Sequence, residues 1–373
     1  MGKIRTLLAL SVVMYHCGSI FGITLIGGEL AVQAFFIISG FYMSMVLNEK
    51  YVGANNSYKL FLSNRLLRLY PIYWVVLILT VLGGLLLAVK AHTIHIEKFE
   101  GYFALQGYVP SIAFMIINQI IIFGQDLVYS FAIDLSNGHL FFTTLAENGK
   151  PPLTTLLMVP PAWTLGVELT FYLIAPFILR RKPAIIISLI VLSFFLRVFL
   201  LYKFGSAVEI WMYKFFPTSL MFFLLGYVSY RMYLRFKNVK LNDKLGYIVL
   251  FLLLAETFAY PLLPNFKSNY FPFSFPVTLY LTSVTLAVPF LFIYFKSSKL
   301  DNTIGELSYP IYICHKLVFY ILKSVHFLAG PLFGLYVVIC TIVFAILLTR
   351  LVAVPIERYR QSRLVKQKAQ RLA

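Results

Sequence analysis

The sequence predicts an all-α protein, a polytopic helical bundle in a membrane, and three observations carry that expectation. Of its 373 residues, 60% are hydrophobic and only 12% charged, a balance far from that of a soluble domain. The apolar runs are about 17 to 25 residues long, the length a helix needs to cross a bilayer. They show none of the ten-residue alternation of a barrel strand, and hydrocarbon obliges each segment to satisfy its own backbone hydrogen bonds.

Taken in order, the first span, near 6–26, follows Lys3 and Arg5, and the second, 29–47, starts at Glu29 and closes on Lys50. The third, 70–90, is entered after Lys59, Arg65 and Arg68. An outer loop over 91–162 follows. The fourth span, 163–179, ends on Arg180, Arg181 and Lys182, and the fifth, 183–201, ends before Lys203. The sixth, 210–230, closes on Arg231 and Arg235, the seventh, 245–263, runs out toward Lys267, and the eighth, 276–295, returns to Lys296 and Lys299. The ninth and tenth, 308–325 and 331–350, complete a count of about ten. The stretch 111–133 is apolar but broken by Asn118, Gln119, Gln125 and Asp126, and counting it as a crossing would invert every later loop. It is read as a re-entrant or interfacial segment. The chain thus divides into a transmembrane domain over 1–357 and a basic cytoplasmic tail over 358–373.

Charge fixes the orientation. With the N-terminus inside, 23 of the 32 lysines and arginines fall on the inner side and 7 outside, leaving Arg197 and Lys316 within spans. Both termini are therefore expected in the cytoplasm. The net charge of +18 is then a topology signal facing anionic lipid, and no nucleic-acid partner is implied. The first span has no small-residue cleavage site and is expected to be retained. Cys17, Cys314 and Cys340 all fall in spans and suggest neither disulfides nor zinc. The cluster His92, His95 and Glu97 has a spacing that could hold zinc, but it lacks further ligands, and no metal is expected.

The informative residues are those lipid should exclude. Arg5 and His16 are eleven positions apart, three helical turns plus about 20°, so they share one helix face with a rise of about 16 Å. Arg5 alone could be a snorkelling anchor and His16 alone a helix-to-helix hydrogen bond. Intramembrane ionisable groups are nonetheless functional candidates by default. A second histidine, His315, lies inside the ninth span with Lys316 after it, and Glu168 and Glu29 enter spans from the outer side. These groups are expected to converge on a polar cavity. Arg65 and Arg68, three apart at the inner mouth of the third span, could grip phosphates by bidentate hydrogen bonds or simply anchor the helix.

Six blocks in order give the chain a resemblance to the acyltransferase-3 family of integral membrane acyltransferases: Arg5 with His16; "FFIISGF" from Phe35; Arg65 and Arg68 before Tyr70 and Pro71; "WTLGVELTFYLIAP" with Trp163, Glu168, Tyr172 and Pro176; "SYPIYICH" ending at His315; and Glu357 near the last span. The chain departs from the family pattern at Ala31 and Gln33, where a glycine and an acid are usual, and at Thr164, which replaces a serine but keeps the hydroxyl. A fused extracytoplasmic domain is not expected.

The resemblance implies transfer of an acyl group, most often acetyl, from cytoplasmic acyl-CoA to a hydroxyl of a cell-envelope glycan such as O-antigen or capsule, or of a lipid-linked glycan, in a bacterial inner membrane. Arg5, Arg65 and Arg68 would hold the phosphates of acetyl-CoA, with Tyr70, Ser39 and His315 along the donor path. His16 would be the general base, with Glu168 orienting it or the sugar. Trp163, Tyr172 and Glu29 would meet the acceptor. A covalent route through Ser39 or Cys17 has no evident base. Lipids and a homo-oligomeric partner are compatible with this reading. The competing function is export of a glycan or lipid-linked sugar through the same polar route without chemistry.

Overall fold

The computed structural model describes residues 1–51, 57–91, 101–102, 105, 107–134, 136–143, 152–205, 209–240, 242, 244–264, 271–324, 330 and 332–372. Within them the helices are α1 (Gly2–Cys17), α2 (Gly27–Glu49), α3 (Ser57–Ala91), α4 (Val109–Ile121), α5 (Trp163–Ile178), α6 (Pro183–Phe204), α7 (Glu209–Lys214) and α8 (Phe216–Phe236). The later ones are α9 (Leu245–Ala259), α10 (Phe275–Phe295), α11 (Lys299–Glu306), α12 (Ser308–Ser324), α13 (Phe333–Leu348) and α14 (Val354–Leu372). Two three-residue strands, β1 (Phe131–Ile133) and β2 (Leu140–Phe142), pair antiparallel in the loop before α5. His92, His95 and Glu97 lie outside the described residues.

Among the described residues, seven helical stretches are long and apolar enough to cross a bilayer: Gly27–Glu49, Tyr58–Leu86, Pro160–Ile178, Pro183–Phe204, Leu245–Leu262, Phe275–Phe295 and Phe333–Val365. The chain is an all-α, multi-pass membrane bundle. A helix also stands at each remaining predicted position. Of these, α1 and α12 have 16 and 17 residues, and they carry His16 and His315. Both are a residue or two shorter than the shortest of the seven, and intramembrane histidines of this kind ordinarily face protein or a polar cavity rather than lipid.

Three boundaries differ from the sequence expectation. The first span stops at Cys17, not 26, because Gly18 turns to φ 96° and a tight reversal with Phe21 and Gly22 at positive φ follows. The third helix begins at Ser57 and carries Pro71 in its interior, so Arg65 and Arg68 stand on the spanning helix itself. Proline there removes one helical hydrogen bond, a loss that neighbouring helices make tolerable in membranes. The sixth span is broken at Phe215 between α7 and α8, with Pro217 near the new start.

Helix α2 is the axis of the bundle: 83% of its spanning window is buried, against 22% for α3, α6 and α9. The outer helices turn Leu86, Leu192, Phe195 and Phe251 outward as a lipid-facing coat. Close approach of α2 and α8 rests on reciprocal glycines, since a Cβ on Gly40 would lie 1.9 Å from the Phe223 carbonyl oxygen and one on Gly226 would lie 2.1 Å from that of Ile37. Around this crossing Phe223 stacks on Phe36 and Phe171, with ring centroids 4.5 and 4.2 Å apart.

Segment 109–126 enters the bundle and turns back. Tyr73 and Tyr70 donate to the Gln119 and Ile121 carbonyls, and Trp74 Nε1 to that of Ile120 at 3.0 Å. Residues 70–74 sit near the middle of the 35-residue α3, so α4 ends deep in the structure. The chain reverses at Ile122 (φ 63°) and Gly124 (φ 76°), against Gly166 of α5, where a Cβ would meet the Ile122 carbonyl at 3.0 Å. The buried Asn118, Gln119, Gln125 and Asp126 thus face protein.

The basic ends gather on one side. Arg363 donates to Asn64 and Ser63, each at 2.9 Å, and Arg180 to the Leu47 and Tyr51 carbonyls. Asp301 of α11 accepts from the amides of Gly2 and Lys3 at 2.7 and 3.1 Å and from the Met1 ammonium at 2.7 Å, capping α1 from another helix. Burial alone would raise the Asp301 pKa, but these donors outweigh it and hold it below its ordinary value. A depressed carboxylate stabilises the fold above the ordinary aspartate range of about 3.9 and loses that contribution as pH falls through the lower folded value. Asp301→Asn should therefore lower stability at neutral pH by roughly 1.5–3 kcal/mol. Thermal unfolding in detergent should show the difference from wild type shrinking as the pH is taken below the ordinary aspartate range; a difference constant with pH would contradict the assignment.

Candidate functional site

Four helices each turn one stripe of side chains toward a common interior. On α1 the stripe is Arg5, Val12 and His16; on α2 it is Val32, Phe35, Ser39 and Tyr42. On α5 it is Thr164, Glu168 and Tyr172, and on α12 Tyr309, Tyr312 and Lys316. Spacings of three, four, seven and eight put each set on one helix face.

The stripes enclose three cavities in series. At the basic end lies a cleft of ≈ 700 Å³, walled by Arg5, Lys50, Arg65, Arg68, Arg358 and Arg360 among others. Beside it lies a narrow chamber of ≈ 100 Å³ that shares Arg5, Tyr42, Arg65, Arg68 and Tyr309 with it. That chamber in turn shares Val32 and Tyr312 with an outer chamber of ≈ 310 Å³. Arg5 borders the cleft and His16 the outer chamber, so the face of α1 spans the series.

The cleft and the narrow chamber are cationic. Arg65 is 5% exposed, and its Nε has no hydrogen-bond partner. Its guanidinium lies 5.8 Å from the centre of the Phe61 ring, and that of Arg5 lies 5.9 Å from Tyr42, so aromatic faces support the charges. Arg68 is exposed to the cleft. The donor left open on Arg65 and the room beside it fit an anionic ligand, since buried donors are rarely left unpaired.

Glu168 supplies the negative charge of the narrow chamber. Its Oε1 accepts from Ser39 Oγ at 2.6 Å and from the Tyr172 hydroxyl. It is thus tied to the Ser39 and arginine group and not to His16, which lines the next chamber. Tyr172 likewise belongs to the narrow chamber, whereas Trp163 and Glu29 line the outer one.

Tyr312 stands where the two chambers join. Its hydroxyl donates to the Pro161 carbonyl at 3.1 Å and accepts from Thr164 Oγ1 at 3.0 Å. Phe35 meets its ring edge-on at 6.1 Å.

His315 is fully buried behind His16 and is not among the residues walling these three cavities. The two imidazoles are nearly parallel, 16° between planes, with centroids 5.2 Å apart. His315 Nδ1 lies 2.6 Å from the Tyr312 carbonyl, which can only accept, so that nitrogen carries a proton. Tyr70, expected along the donor path, instead ties α4 to α3.

The structure therefore brings Arg5, Ser39, Arg65, Arg68, Glu168 and Tyr172 together at one level and His16, Glu29 and Trp163 at the next. Sequence reasoning overlooked Tyr42, Tyr309 and Tyr312 as wall residues, and Lys214, Arg358 and Arg360 as charges at the cavities. The i, i+3, i+7 spacing of Tyr309, Tyr312 and Lys316 is the signal that could have found that stripe.

A family model described as an acyltransferase domain matches residues 4–350. No curated protein and no solved structure matches the chain.

Proposed function

The chain belongs to that acyltransferase family and is a membrane acyltransferase, and from this premise we propose that it moves an acyl group, acetyl, from acyl-CoA on the cytoplasmic face of a bacterial inner membrane to a hydroxyl of a cell-surface polysaccharide such as O-antigen or capsule. The observation that carries the reading is the series of cavities, wide and cationic, then narrow, then wide again. Acyl-CoA has the matching shape, with a bulky phosphorylated head and a thin thioester-bearing arm. Its phosphates would lie among Arg65, Arg68 and Arg5, where guanidiniums make strong paired hydrogen bonds to phosphate. The arm would pass between Ser39 and Tyr309 toward Tyr312.

In this mechanism His16, neutral, takes the proton from the acceptor hydroxyl. The oxygen bonds to the thioester carbonyl carbon, the carbon–sulfur bond breaks, and the proton on His16 passes to the departing thiolate. Glu168 acts one level below, balancing the arginines and fixing the Ser39 and Tyr172 hydroxyls on the donor side.

Incubating the purified chain with acyl-labelled CoA and envelope glycans tests the whole reading. Label should pass to glycan and free CoA thiol should appear in equal amount. Glycan movement across a sealed membrane with the thioester intact would instead favour export.

Arg68→Ala should raise KM for acyl-CoA about 10- to 100-fold, the loss of one charged hydrogen-bonding partner, with kcat nearly unchanged. Because Arg68 is exposed to the cleft, the variant should fold normally. A fall confined to kcat would remove Arg68 from the donor site.

A further inference from the structure

At the end of the series away from the basic cleft, two lysines border one cavity. Lys214 is the last residue of α7, immediately before the helix breaks at Phe215. Lys316 lies on α12, one turn beyond Tyr312. Both border the outer chamber together with His16 and with Glu29. Aromatic rings hold the ammonium groups: Lys214 Nζ is 3.4 Å from the centre of Tyr129 and 5.9 Å from that of Trp163, and Lys316 Nζ is 5.5 Å from that of Phe319.

Two ammoniums against one carboxylate leave the chamber walls net positive whatever pairing Glu29 makes. Glu29 can offset one of the two, and the positive charge left over is unfavourable in a membrane-embedded cavity unless a further anion sits near it. A neutral sugar would be recognised by hydroxyls, amides and ring faces, and would not need them. The chamber's ≈ 310 Å³ is at the small end of ligand pockets, which run roughly 300–1,000 Å³, the scale of one or two sugar units.

We propose that the acceptor is an acidic glycan, whose carboxylate or phosphate sits between Lys214 and Lys316 while a neighbouring hydroxyl faces His16. The inference rests on the acyl-transfer reading for the hydroxyl, but the charge preference is a binding property and can be measured apart from it. A carboxylate would come from a uronic-type sugar and a phosphate from a glycosyl phosphate or lipid-linked unit.

The test uses the full chain in nanodiscs of zwitterionic lipid, so that anionic lipid does not compete. Binding is measured for a tetrasaccharide containing glucuronic acid, for the same tetrasaccharide with its carboxyls reduced, and for glucose 1-phosphate. At least one acidic probe should bind tenfold or more tighter than the neutral one, and the preference should shrink as salt rises. Binding of the uronic probe alone assigns a carboxylate, and of glucose 1-phosphate alone a phosphate. Lys316→Gln should cut the preference below threefold and Lys316→Arg should restore it; Lys214→Gln provides a second, independent variant.

Equal binding of the neutral probe, no binding of either acidic probe, or a preference that survives both lysine substitutions would overturn the proposal. In parallel, labelled acyl transfer to neutral glycans as readily as to acidic ones would remove the inference and leave the transferase intact. Tight acidic binding with no thioester consumed by any acceptor would do the reverse.

Discussion

His16→Ala is expected to leave a folded, membrane-inserted protein whose acyl transfer is about 10²- to 10⁴-fold slower, the usual contribution of a positioned general base. The fold should survive because His16 is half-buried and borders open space on two sides: the outer chamber, and a lateral cleft of ≈ 460 Å³ walled by Cys17, Phe319 and Leu322 among others. Truncating it therefore enlarges cavities already present instead of creating one in packed core. Acyl-CoA binding should change little, since Arg5 lies some 16 Å below along α1, and Arg65 and Arg68 wall the cleft and narrow chamber with it.

His315→Ala should behave differently. That ring is fully buried and bonded to the Tyr312 carbonyl, so its removal opens a void behind His16 and should lower the unfolding temperature as well as the rate. The comparison uses labelled transfer, size-exclusion profiles and thermal unfolding on both variants. Full transfer by His16→Ala would end the general-base mechanism.

Gly40→Leu should have the largest effect on the fold itself, eliminating most monodisperse protein. The obstacle at Gly40 is backbone, at 1.9 Å, and no rotamer change can move a carbonyl. Helices α2 and α8 would have to part along their whole crossing, which should cost about 3 kcal/mol or more, the upper end of overpacking penalties. Gly226→Leu, on the opposite side of the same contact, should fail in the same way. Gly83→Ala is the control: a Cβ there meets nothing within 4 Å, and helix propensity predicts a gain of about 0.5–1 kcal/mol. Expression yield and unfolding temperature across the three variants decide the matter, and a stable Gly40→Leu protein would show that the crossing is looser than described. Because Ser39 is the preceding residue, opening this contact would also displace its bond to Glu168.

Much of the architecture was legible in the chain. Apolar run lengths and loop charges located the helices, and the eleven-residue interval between Arg5 and His16 put both on one face of α1. The polar residues at 118–126 set that stretch apart in the sequence, and Asn118, Gln119, Gln125 and Asp126 are buried in the structure. The end of α1 at Cys17 was not read, because apolarity persists to Leu25 and Ile26 while glycine geometry, not hydropathy, ends the helix. The break before α8 had signals in Lys214 and Pro217 that the apolar residues on either side concealed.

What the sequence by itself determined is periodic and local: that the chain is helical and membrane-bound, and which side chains share a face of one helix. Only the tertiary structure decided which faces meet and at what depth. It paired Glu168 with Ser39 and Tyr172 instead of His16, set His315 behind His16, turned Tyr70 to the α4 carbonyls, and drew Lys214 and Lys316 into one chamber. The reason is physical: spacing along a helix fixes angle and rise about that helix's own axis, whereas the vertical register between helices is set by contacts such as Gly40 on Phe223 and Asp301 on the Gly2 amide, between residues far apart in the chain.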